Sequence, residues 1–211
     1  MLTVHHLNNS RSQRILWLLE ELELDYTLKC YQRDATTNLA PPELEAVHPL
    51  GKSPVITDGD TTVIESGAII DYILRHHGNG RLLPAAATVE HEQYLQWLHY
   101  AEGSAMLPLM LRMYTARLPD GGAPLQPRID DELNRHLGYM DKALEGADWF
   151  VGNSFSGADI QLSFAVEIAP LLHSLEHFAN LASFRDRIHA RPAYQRALVK
   201  GGQYDFGPAG Q

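Results

Sequence analysis

The chain has 211 residues, 45% of them hydrophobic and 20% charged, which is material for one large domain or two small ones with a packed core. A net charge of −9 argues against a nucleic-acid-binding or anionic-membrane surface. The single cysteine, Cys30, precludes an internal disulfide or a Cys-x-x-Cys redox pair, and no apolar run approaches the length needed to cross a bilayer. The opening stretch MLTVHHLNNS has neither the basic leader nor the apolar run of a signal peptide, so a cytoplasmic protein is expected.

Leu2 to Leu7 reads as a short strand, broken by Asn8-Asn9-Ser10. Ile15, Leu16, Leu18, Leu19 and Leu22 set an apolar face at helical spacing from about Ser12 to Leu22, and Tyr26 to Tyr31 reads as a second strand. Strand, helix and strand with short links form a βαβ unit, so the two strands are expected to be parallel. Pro41-Pro42-Glu43 predicts a short helix closed by Pro49. Ser53 to Thr57 and Thr61 to Ile64 flank Asp58-Gly59-Asp60, a hairpin signal. A helix from Ser66 to His76 follows, with Ile69, Ile70, Ile73 and Leu74 inward. Residues 1–78 thus read β-α-β-α-β-β-α, a mixed four-stranded sheet with helices packed on it.

Residues 79–88 read as a linker, rich in breakers from Gly78 to Pro84. From residue 89 to 211 the pattern is all-helical. Val89 to Arg117 predicts one long helix bent at Pro108, and Pro127 to Leu144 a second. Ser156-Gly157-Ala158-Asp159 opens a third with a capping box in which Asp replaces Glu, and this spacing favours a cap over a catalytic pair. His173 and His177 in His-Ser-Leu-Glu-His would share a helix face, but no third metal ligand accompanies them, and no metal site is expected. Cys30 is expected to fill a buried apolar position.

Two segments carry the chemistry. Gly51-Lys52-Ser53-Pro54-Val55-Ile56 places a proline at the head of a strand, where it cannot donate to a ladder. A cis Ser53-Pro54 bond would turn the Ser53 backbone outward to pair with a peptide-like ligand. Glu65-Ser66-Gly67-Ala68-Ile69 opens the next helix, whose free N–H groups and dipole favour a carboxylate. Together they suit a small anionic peptide.

This organisation resembles a cytosolic glutathione transferase, over nearly the whole chain. Gly51 to Ile56 is similar to that family's loop before its cis-proline, Glu65 to Ile69 to its γ-glutamyl-binding turn, and Ser156 to Asp159 to its buried N-capping box. The resemblance implies an α/β thioredoxin-like N-terminal domain and an all-α C-terminal domain. Asn9-Ser10-Arg11-Ser12-Gln13-Arg14 stands where the family keeps its thiol-activating residue. The tyrosine of several classes and the cysteine of the omega-like class are both absent. Aligned on Arg14, Ser10 falls at or beside the serine of theta- and zeta-like members.

A thiol with pKa around 8.5 is mostly protonated at neutral pH, and only the thiolate attacks, so a hydroxyl donor at a helix start would serve. Ser10 is the first candidate donor. Ser12 is its rival, with N-cap of the first helix as its plain structural role. Asn9 and Arg11 are candidate contacts to the sulfur. The resemblance assigns the glycine carboxylate to Lys52, the cysteinyl backbone pairing to Ser53, shaping of the site to Pro54, and the γ-glutamyl amine and carboxylate to Glu65 and Ser66. Ser53's side-chain identity is expected to matter little. Met106, Met110, Met113, Tyr114 and Arg117 recur near helical spacing and suit an adaptable hydrophobic pocket, or equally a helix-packing core.

The function this implies is conjugation of glutathione, as cosubstrate, to hydrophobic electrophiles in detoxification, with hydroperoxide reduction as a side activity. No metal or redox cofactor is expected, and a homodimer is. Two other classes stay open: a non-enzymatic glutathione-binding or regulatory protein, and a zeta-type isomerase. The latter's Ser-Ser-Cys-Ser signature reads Asn9-Ser10-Arg11-Ser12 here.

Overall fold

The computed structural model describes residues 1–208. Strands β1 (Leu2–Leu7), β2 (Thr27–Tyr31), β3 (Val55–Asp58) and β4 (Thr61–Ile64) form one sheet in the order β2-β1-β3-β4. β1 lies parallel to β2, joined through helix α1 (Ser12–Glu21), and antiparallel to β3. β3 and β4 pair across a tight turn in which Gly59 takes the left-handed φ of +57°. Helix α2 (Ser66–His77) then lays Ile69, Ile70, Ile73 and Leu74 into the core.

Three expectations are corrected in this half. Pro42–Leu44 forms a single 3-10 turn, because only Leu44 of that segment is buried and no apolar face sustains a longer helix. Cys30 is exposed, since β2 is an edge strand that the sheet leaves largely open. Ser53's hydroxyl has a structural task, described below.

Every residue of α1 from Ser12 to Glu20 is buried. A helix covered on one side keeps a wet polar face; α1 has none because α8 (Pro192–Gly201) packs against it too. Trp17 meets Tyr194 edge to face at 5.3 Å. Arg191 grips Glu21 through Nε and Nη2 at 2.5 and 2.8 Å. Glu20 accepts from Tyr26, Arg196 and Lys200. Burial raises the Glu20 carboxyl pKa, and these three donors outweigh it, holding the group below its ordinary value.

The expected boundary between 1–78 and 89–211 therefore differs from the packing. One compact unit comprises Met1–Leu83 with the segment from His189 onward, and the other is Pro84–Ile188. The pairs that bring α8 to the sheet unit span more than 160 residues of sequence, with Arg191–Glu21 separated by 170.

The second unit holds α3 (Val89–Tyr100), α4 (Met106–Thr115), α5 (Gln126–Ala143), α6 (Gly157–Leu172) and α7 (Ala179–His189) up to Ile188. α6 is buried from Gly157 through Ala169, the signature of a central helix, and packs against α3 and α4. The single long helix expected from Val89 to Arg117 is split by a π-helical turn, Ala101–Ala105. Pro108 has no N–H for the Ser104 carbonyl. The backbone widens just upstream, with the Met106 N–H reaching the Ala101 carbonyl, and the mismatch is absorbed there.

The capping box forms as expected: Ser156 Oγ accepts from the Ala158 N–H, and Asp159 Oδ2 accepts from the Ser156 N–H at 2.8 Å. α6 ends at Leu172, so His173 and His177 do not share a helix; His173 Nε2 instead lies 3.1 Å from Asn134 Oδ1. Among the described residues no helix is long and apolar enough to cross a membrane.

Candidate functional site

The loop from β1 to α1 is held from several sides. Arg33 donates from Nε to the Asn8 carbonyl and from Nη2 to the Asn9 carbonyl, at 3.1 and 3.2 Å. Asn9 takes a left-handed φ of +50°, tolerated best by Asn and Gly. Its side-chain amide donates to Asp205 Oδ2 at 2.7 Å and its carbonyl accepts the Asp205 N–H at 2.8 Å. The tail that follows α8 thus reaches this loop, while residues 209–211 of the glycine-rich tail lie outside the described residues. Arg11 is half-buried at the N-cap of α1 and supplies no side-chain cap.

Ser10 and Ser12 are hydrogen-bonded to each other at the start of α1. Ser10 Oγ accepts the Ser12 N–H at 3.2 Å, so Ser10 does the local capping. Ser12 is fully buried: its hydroxyl accepts from the Leu7 N–H at 3.3 Å and contacts Ser10 Oγ at 2.7 Å and His6 Nδ1 at 2.8 Å. Ser10, 7% exposed, is the outer of the two.

The loop before β3 has the cis Ser53-Pro54 bond anticipated from sequence. Ser53 Oγ donates to the His5 carbonyl at 2.8 Å and accepts from the Leu7 N–H at 3.2 Å. The Ser53 side chain therefore ties this loop to β1, and its identity matters more than expected. Gly51 sits at φ +55°, where a Cβ would stand 2.8 Å from Glu45 Cγ. Lys52, next to it, is exposed and makes no hydrogen bond or ion pair among the described residues.

Glu65 caps α2 with φ +66° and ψ 118°, a rare conformation for a non-glycine residue. Its carboxylate is exposed and makes no cap bond, leaving the first N–H groups of α2 without a side-chain acceptor from it. Ser66 is buried and accepts from Arg14 Nη1 at 3.1 Å. Arg14, 1% exposed, fixes the start of α2 from within α1. An arginine within an apolar helix face is itself a sequence signal of a buried polar partner.

In the helical unit, Met106 is buried core, Met110 and Met113 are half-buried, and Tyr114 and Arg117 are exposed. The Arg117 guanidinium stands 6.0 Å from the Tyr114 ring centre. Only the outer four have the exposure that a pocket wall needs. His6 Nε2 also lies 3.0 Å from the Gly201 carbonyl oxygen, a contact that was not anticipated from sequence. Their contact joins positions 195 apart, and no local pattern announces it.

Known proteins match this arrangement. The family model for the glutathione S-transferase N-terminal domain matches residues 1–75, and that for the C-terminal domain matches residues 103–192. The chain is similar to glutathione S-transferase 3 of Schizosaccharomyces pombe, with 32% identity covering 95% of this chain and 88% of that one. Glutathione S-transferase 1 of Saccharomyces cerevisiae is 33% identical, covering 80% and 81%. Among solved structures, a glutathione S-transferase from Actinobacillus pleuropneumoniae superposes with a TM-score of 0.88 at 34% identity, covering 98% and 95%. A family member from Pseudomonas fluorescens, solved with two glutathione bound, gives 0.78 at 25% identity, covering 93% and 92%.

Proposed function

The chain belongs to the glutathione S-transferase family, and on that premise we propose that it binds glutathione, stabilises its thiolate and transfers it to a hydrophobic electrophile. The observation that carries this reading is the pair Lys52 and Glu65. They are exposed, oppositely charged and without side-chain partners among the described residues, on two loops of the compact unit that also holds Ser10. Glutathione presents the complementary set: a glycine carboxylate for Lys52, a γ-glutamyl ammonium for Glu65, and a second carboxylate for the amino end of α2. The cysteinyl backbone pairs with that of Ser53, and the sulfur faces the Ser10 hydroxyl at the start of α1.

Conjugation then needs only the thiolate and an electrophile. Sulfur bonds to carbon as the leaving group departs with the bonding pair, or adds to an activated double bond that afterwards takes up a proton. Glutathione is a cosubstrate under this reading, and the transfer needs no other cofactor. The same thiolate reduces organic hydroperoxides, releasing alcohol and then, with a second glutathione, disulfide and water. The reading includes a cytoplasmic homodimer.

The test is glutathione-dependent turnover of an activated chloro-dinitrobenzene. Saturable turnover supports the reading, whereas binding without turnover supports a regulatory protein on the same fold. Glu65→Ala is expected to weaken glutathione binding by about tenfold or more, since a hydrogen bond to a charged group contributes about 1.5–3 kcal/mol. Turnover at saturating glutathione is expected to change little, because Glu65 meets the cosubstrate away from the sulfur. Calorimetric titration beside steady-state kinetics checks both, and a kcat loss with unchanged affinity would contradict the assignment.

A further inference from the structure

Behind the loop, three side chains and one carbonyl form a continuous line. Ser10 Oγ lies 2.7 Å from Ser12 Oγ, Ser12 Oγ lies 2.8 Å from His6 Nδ1, and His6 Nε2 lies 3.0 Å from the Gly201 carbonyl oxygen. Hydrogen positions along this line follow from which atoms only accept. A carbonyl oxygen has no hydrogen, so His6 Nε2 carries one and donates it to Gly201. Burial lowers the His6 pKa and the Gly201 carbonyl opposes that in part, a balance that favours the neutral ring. Nδ1 is therefore an acceptor.

Ser12 has one hydrogen and three neighbours that accept: His6 Nδ1 at 2.8 Å, Ser10 Oγ at 2.7 Å and the Leu7 carbonyl at 3.2 Å. Ser10 Oγ already receives the Ser12 N–H, and Ser10 has its own hydrogen to place in the shared link. His6 Nδ1, in a ring only 2% exposed, has no donor among the described residues except Ser12. Leaving it unpaired in the interior is the unfavourable choice. The Ser12 hydrogen goes to His6, and Ser12 Oγ faces Ser10 as an acceptor.

We propose that His6 decides which serine activates sulfur: by taking the Ser12 hydrogen on Nδ1 it withdraws Ser12 as a donor and leaves Ser10 alone with a hydrogen that can turn to the thiolate. This rests on the glutathione reading above, and His6 is a positioning residue within it. The arrangement also gives the end of α8 a task at the site. Gly201 approaches so closely that a Cβ there would stand 2.9 Å from Leu16 Cδ1 and 3.3 Å from His6 Cε1. Its carbonyl can fix the imidazole tautomer only because no side chain intervenes.

The experiment is long-range proton–nitrogen correlation NMR on the full chain labelled with nitrogen-15 histidine, unliganded at neutral pH, with His6→Gln to assign the signal. The expected result is the Nε2–H tautomer, with a bare Nδ1 whose shift moves in Ser12→Ala. A hydrogen on Nδ1, or an imidazolium, would overturn the proposal. The second arm follows thiolate absorbance of bound glutathione against pH. Ser12→Ala is expected to leave the bound-thiol pKa unchanged or lower, while Ser10→Ala brings it back to the free value. An increase in Ser12→Ala as large as in Ser10→Ala would overturn the proposal too. Failure of the wild type to bind glutathione would overturn the function itself; a wrong tautomer in a protein that binds and conjugates overturns this inference alone.

Discussion

Ser10→Ala is expected to lower kcat/KM for conjugation by about 10²-fold, the typical loss when one preorganised donor to a developing anion is removed, and to leave the glutathione Kd within about twofold. The separation of the two effects follows from where the groups lie. Lys52, Ser53, Glu65 and the start of α2 meet the ends and backbone of the tripeptide in the proposed complex. Ser10 meets only the sulfur. Each unit by which the hydroxyl lowers the thiol pKa is about 1.4 kcal/mol of preference for the thiolate. The substitution leaves the loop supported, because Arg33 holds the carbonyls of Asn8 and Asn9 and Asp205 holds the Asn9 side chain. Full activity in Ser10→Ala, measured at saturating electrophile, would remove Ser10 from the mechanism.

Asp159→Ala is expected to act on stability, lowering it by about 3–5 kcal/mol and the Tm by roughly 10 °C. Asp159 is fully buried, with Oδ1 accepting the Phe150 N–H at 3.0 Å and Oδ2 accepting the Ser156 N–H at 2.8 Å and the Ser156 hydroxyl at 3.0 Å. Alanine leaves two buried amides without that acceptor and loosens the start of α6, the central helix of its unit.

The effect has a pH signature with a definite sign. Burial pushes the Asp159 carboxyl up to about 6 from 3.8, against the pull of its donors. The folded state then binds this proton more tightly than the unfolded one. The corresponding stability is fully present below the unfolded value of 3.8 and is lost as the pH rises through about 6. The gap between wild type and Asp159→Ala is therefore expected to widen on going from about pH 7.5 to about pH 4.5. Thermal melts of the two proteins at both pH values test this, and a gap that narrows in acid would contradict it.

Much of this was legible in the sequence because it is local. The βαβ crossover, the Asp58-Gly59-Asp60 hairpin, the Ser53-Pro54 bond and the Ser156–Asp159 box each depend on a few adjacent residues. The periodicity of Val89 to Arg117 gave a helix but not its π turn, since a proline states that a bond is missing without stating how the backbone absorbs it. Cys30 was misplaced because alternation along β2 does not show that β2 lies at an edge. Ser53's hydroxyl, the docking of α8 on α1 and the His6–Gly201 contact depend on positions 48 to 195 apart in sequence. Helical periodicity marks α8 as amphipathic without naming the surface it covers. The candidate site was thus readable in the loops that carry Ser10, Ser53 and Glu65, and hidden in the supports behind them: Arg14 beneath Ser66, Arg33 and Asp205 around Asn9, and His6 behind Ser12.

The most direct test of the central claim is a glutathione titration of the wild-type protein followed by thiolate ultraviolet absorbance as a function of pH. A bound-thiol pKa well below the roughly 8.5 of a reference cysteine thiol is predicted, with saturation at the stoichiometry of one site per chain. Saturable binding with an unshifted pKa, or no binding at all, would contradict a thiolate-stabilising transferase.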